Sequence, residues 1–269
     1  MFCLHCNAQY VYGDAFCESC GQPIAATQNK SCANCGYQMS DADKFCESCG
    51  MRADGAARQP AFVPPKQATN QARMFIVFLL DTSVSASPYF GQMIAQLRKF
   101  VSDVNTDSLT QNALDMTFIK FNNSFEVHKD LHKITNPNQQ HLTMGNACFD
   151  APIRESLRMV DGYAISNTGG YKPWVIMISS SEPSDDVSSV AIEIQNKHRA
   201  EKLRFMALSV DGHGSASLKK LTDVVFRQNG PDFTSFFNWA SKSIKTIVRT
   251  KPGEKPQLPQ LEGNVYRDR

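Results

Sequence analysis

Seven apolar residues run without interruption from Met74 to Leu80 and stop at Asp81. A strand exposed on one face alternates apolar with polar residues. This one does not, so both of its faces must be covered, as in the middle of a parallel sheet. Past the run come Asp81, Ser83 and Ser85, a carboxylate and two hydroxyls on alternate residues. Open α/β sheets hold ligands in the crevice beyond the carboxyl ends of such strands. Small, hard oxygen donors suit Mg²⁺ or Mn²⁺. They suit a polar turn as well, because Asp and Ser often end strands and start helices.

Downstream, strands and helical stripes alternate. Ser87-Pro88 marks a helix start, and Met93, Ile94, Leu97, Phe100, Val101 and Val104 follow at helical spacing. Residues 112–121 read as a strand with 124–128 as its antiparallel partner across Asn122-Asn123. Residues 131–146 form a polar loop. A helix over 147–164 turns Ile153, Leu157, Val160 and Ala164 inward, with Pro152 in its first turns. Trp174 to Ile178 is a second unbroken apolar strand, ending in Ser179, Ser180 and Ser181. Asp185-Asp186 caps a helix carrying Val187, Val190, Ala191 and Ile194. Residues 203–210 are another strand, 215–222 a short helix, and 224–226 a last edge strand. Phe233, Phe236, Phe237, Ala240, Ile244 and Ile247 mark the final helix. The predicted fold class is therefore α/β, a doubly wound, mostly parallel sheet.

The N-terminal residues obey different rules. Cys3-x-x-Cys6 and Cys17-x-x-Cys20 are repeated 29 positions later as Cys32-x-x-Cys35 and Cys46-x-x-Cys49. Each set supplies four thiolates, and a Cys-x-x-Cys turn presents two sulfurs to one ion. Neither copy has enough apolar residues for a core, so the metal must supply most of the folding energy. Each copy is predicted to hold one Zn²⁺, giving two ions, and His5 is a solvated side chain beside an already complete set. The spacing predicts two small zinc ribbons over 1–52 and resembles the double zinc ribbon family. Residues 53–72, with three prolines and many alanines, read as a flexible linker. The main domain then spans 73–248, and 249–269 reads as a flexible tail.

Charge narrows the partners. The formal net charge of +2 gives no general drive toward nucleic acid or membrane. No apolar run reaches membrane-spanning length, and the N-terminus lacks the pattern of a secretory signal. Residues 1–52 carry Lys30, Lys44 and Arg52 against Asp14, Glu18, Asp41, Asp43 and Glu47, and eight thiolates would add further negative charge. A phosphate backbone needs a cationic face. The ribbons therefore read as a protein-docking module. Paired cysteines at metal spacing point to a reducing, cytoplasmic setting.

Asp-x-Ser-x-Ser at the end of the first strand, with the order of elements over 73–248, resembles the von Willebrand factor A domain. In that family three loops hold a metal-ion-dependent adhesion site. The resemblance implies Asp81, Ser83, Ser85 and Asn146 as candidate Mg²⁺ ligands. Two departures weaken such a site. Gly145-Asn146 replaces the Gly-Thr of the second loop, and Ser180 replaces the third-loop Asp. Mg²⁺ demands near-octahedral geometry and usually one or two carboxylates. Asp150, Asp185 and Asp186 are the carboxylates that would have to compensate. The reading is a degenerate site that binds a protein partner through Asp81, Ser83, Ser85, Asn146 and Ser180. An N-terminal zinc ribbon further resembles the bacterial tellurite-resistance-associated branch, which implies protein kinase or phosphatase partners in stress or phage-related signalling.

The sequence thus points to a non-enzymatic adaptor with no catalytic residues. Two alternatives stand beside it. One is a nucleic-acid-associated regulator acting through the ribbons, against which the acidic balance counts. The other is a hydrolase around Ser179 to Ser181. Asp211, His213 and Ser180 would be its triad, but no Gly-x-Ser-x-Gly elbow is present. Cys148 reads as a small core thiol.

Overall fold

A computed structural model describes residues 6, 8, 9, 17–20, 30, 31, 38, 39, 72–134 and 145–268. The chain divides into two compact units, Met1–Lys66 and Gln67–Arg269. In the first, Lys30–Ser31 and Gln38–Met39 form a short antiparallel pair, with Lys30 opposite Met39. All but the last residue of the predicted linker, and most of the predicted ribbons, lie outside the described residues.

The second unit is built on β1 (Met74–Asp81), every residue of which is buried. Its side chains divide by parity. Met74, Ile76, Phe78 and Leu80 join one apolar cluster, while Phe75, Val77 and Leu79 join another. The period of two, with both faces covered, is why no polar residue interrupts the run. The first cluster is closed by α1 (Ser87–Thr106) and the last helix. The second is closed by the helices on the opposite face.

The remaining elements are α2 (Ser108–Ala113), β2 (Leu114–Phe121), β3 (Phe125–His128), α3 (Asp150–Ser166), β4 (Trp174–Ser179), α4 (Ser188–Arg199), β5 (Arg204–Val210), α5 (Ser215–Leu221), β6 (Val225–Gln228), α6 (Thr234–Ile247) and β7 (Val265–Arg267). The sheet has seven strands in the order β3-β2-β1-β4-β5-β6-β7. β2, β1, β4, β5 and β6 are mutually parallel. β3 and β7 are antiparallel to their neighbours at the two edges. Strand order reverses between β1 and β4, which places a crevice beyond their carboxyl ends. Among the described residues, no helix is long and apolar enough to cross a membrane.

Several elements depart from the sequence reading. Residues 108–113 form a helix ahead of β2, where Thr110 donates its hydroxyl to Asp107 and Ala113 is buried. Ala164 is exposed on α3. The neighbouring Tyr163 takes the inward position and stacks on Phe75 at 4.5 Å between ring centroids. Its hydroxyl donates to Asp115, and burial together with that carboxylate raises its pKa above the usual phenol range. β6 is not an edge, because the predicted flexible tail supplies β7 beside it. Val265 is 3% exposed and inserts into the α1/α6 core. Trp239 Nε1 donates to the Pro259 carbonyl at 3.0 Å, and Asp268 accepts from Ser215 and from Lys219. The cue was Asn264-Val-Tyr-Arg267, a short β-forming run after Gly263, too brief to outweigh the surrounding prolines.

If the C-terminal strand is part of the core, Val265→Ala should lower unfolding stability by about 2 kcal/mol, as for other buried aliphatic truncations. For a domain of this size the melting temperature should fall by about 4 °C or more. Urea and thermal denaturation check this, and a free tail would show no change.

Candidate functional site

The loop after β1 is held by the residue that ends the strand. Asp81 is 1% exposed. Its Oδ1 accepts from the Ser83 backbone N–H at 2.8 Å, and its Oδ2 accepts from the Ser179 hydroxyl at 2.6 Å. The first bond bends the chain in an Asx turn. The second ties the end of β4 to the end of β1. Thr82 anchors the other side, with its backbone N–H and its hydroxyl both donating to the Phe121 carbonyl at the end of β2, at 2.8 and 2.9 Å. The Ser83 and Ser181 hydroxyls share a bond of 2.8 Å. Three strand ends are thereby fixed around one buried carboxylate.

Above this floor lies an open cleft of about 620 Å³. Four of the five predicted partner-binding residues line it, namely Ser83, Ser85, Asn146 and Ser180. Asp81 does not line it and lies among the buried residues. Ser85 and Asn146 are exposed, whereas Ser180 is 4% exposed. The Ser180 Oγ has no hydrogen-bond partner among the described residues. Sequence reasoning missed Glu182 as a lining group and named His213 only in the hydrolase alternative. His213 is flanked by two glycines. Gly214 has φ +69°, and a Cβ there would collide with the Ser181 carbonyl oxygen, so only glycine lets this loop pass so close.

The predicted Mg²⁺ set, Asp81, Ser83, Ser85 and Asn146, fits a divalent cation poorly. It contains one carboxylate, sealed from solvent, with each oxygen already accepting a hydrogen bond. The Ser83 hydroxyl is engaged by Ser181. The three carboxylates that would have to compensate are committed elsewhere. Asp185 accepts from the Phe149 and Asp150 backbone N–H groups, both at 2.8 Å, and so caps α3 rather than the helix that follows it. Asp186 accepts from the Ser188 N–H at 2.9 Å at the start of α4, and Asp150 pairs with Arg154.

His213 and Ser180 share the cleft, yet no relay joins them. The Asp211 carboxylate accepts from the Tyr89 hydroxyl and from the Gly230 N–H, each at 2.5 Å. These bonds hold its pKa below the ordinary carboxylate value, with the Gly230 bond the larger cause. Cys148 is half-buried, with its Sγ 3.4 Å from the Ser184 hydroxyl.

In the N-terminal unit, the Cys6, Cys17 and Cys20 sulfurs all lie within 4.8 Å of one another. Cys6 and Cys17 are 3.6 Å apart at sulfur. Two ligands of a tetrahedral Zn²⁺, each at about 2.3 Å, would be about 3.8 Å apart. The three sulfurs therefore suit one ion. Cys3, Cys32, Cys35, Cys46 and Cys49 lie outside the described residues.

Comparison with known proteins agrees with this division. Residues 3–50 match the double zinc ribbon family. No curated protein matches the chain. Among solved structures, the pilus adhesin SpaC from Lactobacillus rhamnosus GG, in its open conformation, is similar with a TM-score of 0.51 and 14% identity, covering 65% of this chain and 30% of that one. Proximal thread matrix protein 1 from the mussel byssus, in its second crystal form, is similar with a TM-score of 0.45 and 14% identity, covering 66% of this chain and 48% of that one. The chain thus spans less than half the length of either structure. At 14% identity the likeness to the adhesin is one of fold alone.

Two outcomes follow from this geometry. Asp81→Ala removes the acceptor of two charge-assisted bonds inside the protein and should cost about 3 kcal/mol or more, read by urea denaturation. A carboxylate serving only as a surface ligand would leave stability unchanged. Cys17→Ser should lower the zinc content of the purified chain, measured by mass spectrometry of the metal, while Cys148→Ser leaves it unchanged.

Proposed function

We propose that this chain is a non-enzymatic adaptor in which a von Willebrand factor A-like domain docks a protein partner at the carboxyl rim of its sheet. Ser83, Ser85, Asn146 and Ser180 make the contacts, and Asp81 holds them in place from beneath. The observation that carries this reading is the Ser180 hydroxyl, buried and unpartnered on the wall of the cleft. A buried polar group left unpaired costs about 1–3 kcal/mol. A partner that supplies a carbonyl or carboxylate to it recovers that cost. Val84, 57% exposed beside Ser83, adds an apolar contact at the same rim.

The adhesion site is degenerate and works without a bridging cation, since its one carboxylate is engaged by Ser83 and Ser179. The double zinc ribbon, with two Zn²⁺ held by Cys3, Cys6, Cys17 and Cys20 and by Cys32, Cys35, Cys46 and Cys49, grips a second partner. The acidic balance of residues 1–52 favours protein over nucleic acid. The resemblance to the tellurite-resistance-associated branch suggests a protein kinase or phosphatase as one partner, in a cytoplasmic stress or phage-related pathway.

Photo-crosslinking tests the rim. A crosslinking residue at position 84 or 146 should capture the same partner, and one at Ile192 on α4 should not. Ser180→Leu, which fills the cleft, should abolish capture. Equal capture from all three positions, or capture indifferent to Ser180→Leu, overturns rim docking. Calorimetry should find no Mg²⁺ binding tighter than about millimolar, a range reached when ligand charge is lost. Micromolar affinity that disappears in Asp81→Ala would restore a functional metal site. Metal analysis should give two zinc ions per chain.

A further inference from the structure

The segments that carry the rim cleft are residues 81–86, 145–150, 179–187 and 211–214. They hold six carboxylates, Asp81, Asp150, Glu182, Asp185, Asp186 and Asp211, and no Lys or Arg. Their one basic side chain is His213, and an imidazole is charged only when protonated. Cations from other elements reach two of the six. Arg154 pairs with Asp150. The Arg227 guanidinium packs over Gly212, where a Cβ would collide with it, and its charge acts on Asp211 and Asp268. Lys219 pairs with Asp268. The other four are held by neutral donors. Asp81 accepts from Ser83 and Ser179, Glu182 from the Ser217 hydroxyl, Asp185 from the Phe149 and Asp150 N–H groups, and Asp186 from the Ser188 N–H. Such bonds orient a carboxylate without cancelling its charge.

Two of these four bear directly on an occupant. Glu182 is exposed on the cleft wall. The Ser217 bond uses its Oε2, and a carboxylate accepts at both oxygens. Asp81 lies among the buried residues beneath, shut off from the water that would screen it. A cleft whose walls carry charge of one sign focuses the field and gathers counter-ions. A second feature, independent of charge, points into the same space. Ser180, 4% exposed, lines this cleft of about 620 Å³ with a hydroxyl that has no partner among the described residues. Of the two groups that can answer it, a carboxylate is repelled by Asp81 and Glu182, and a main-chain carbonyl is not.

We propose that the partner enters this cleft as a basic segment, setting a Lys or Arg side chain against Glu182 while one of its main-chain carbonyls accepts from Ser180. This rests on the rim-docking reading and names the chemistry of what docks. NMR of the full, isotope-labelled chain at low ionic strength tests it. The probes are an acetylated and amidated Gly-Gly-Lys-Gly-Gly peptide and the same peptide with Glu at its centre. The Lys peptide should shift the amide signals of Ser85, Asn146, Ser180 and His213 saturably, and the Glu peptide should not. Glu182→Gln should weaken the Lys peptide about fivefold, and Glu254→Gln, on the C-terminal segment, should leave its binding unchanged. Binding of the Glu peptide in the cleft as tight as that of the Lys peptide overturns the proposal. So does Lys-peptide binding indifferent to Glu182→Gln, or the absence of saturable shifts at the cleft with the Lys peptide. Rim docking itself is judged apart, by the crosslinks at positions 84 and 146, which capture a partner whatever its charge.

Discussion

The buried carboxylate of Asp81 holds the functional end of the main domain together. A charge in an apolar interior is costly unless hydrogen-bonded, and Asp81 receives one bond from its own loop and one from the next strand. Charge-assisted bonds of this kind are short and directional. They fix where the first loop leaves β1 and where β4 ends. Thr82, bound twice to the Phe121 carbonyl, extends the same constraint to β2. The cleft above inherits its shape from these few bonds, so a residue outside the cleft controls the residues that line it.

The two ends of the sheet then follow separate logics. At the carboxyl end the loops after β1 and β4 carry small hydroxyl residues, of which Ser83 and Ser181 satisfy one another and Ser180 is left over. At the amino end Arg73, just before β1, is paired with Asp115 of β2, which also accepts from Tyr163. Between the ends, the parity of β1 sends alternate side chains into two apolar clusters. The C-terminal strand completes the sheet by covering β6, which would otherwise expose a row of unpaired backbone groups. In the N-terminal unit the three described sulfurs cluster at a spacing that a single ion satisfies.

Much of this was legible in the chain. The unbroken run to Leu80, the second run to Ile178 and the helical stripe from Met93 to Val104 each carried a period that only one local structure satisfies, and each formed as expected. The Cys-x-x-Cys repeat likewise named its chemistry, because four thiolates at that spacing have few other uses. Ser83 and Ser180 could be picked out because polar residues directly follow apolar strands. What was not legible depended on partners distant in sequence. Asp185 reads as the cap of its own helix, yet it caps α3, because the β4–α4 loop folds back on that helix. Tyr163 displaced Ala164 from the interior because Phe75 offered it a ring and Asp115 an acceptor.

By itself, then, the sequence determined the division into a thiolate-built module and an α/β domain, the covered central strand, and the hydroxyl-rich loops at its end. Those follow from short-range periodicity and from ligand spacing, which are properties of neighbouring residues. Only the tertiary structure decided that Asp81 supports the cleft instead of lining it. Only it made a strand of Val265–Arg267 and turned Asp185 to cap α3. These depend on strand order and register, which bring together residues that no local pattern connects.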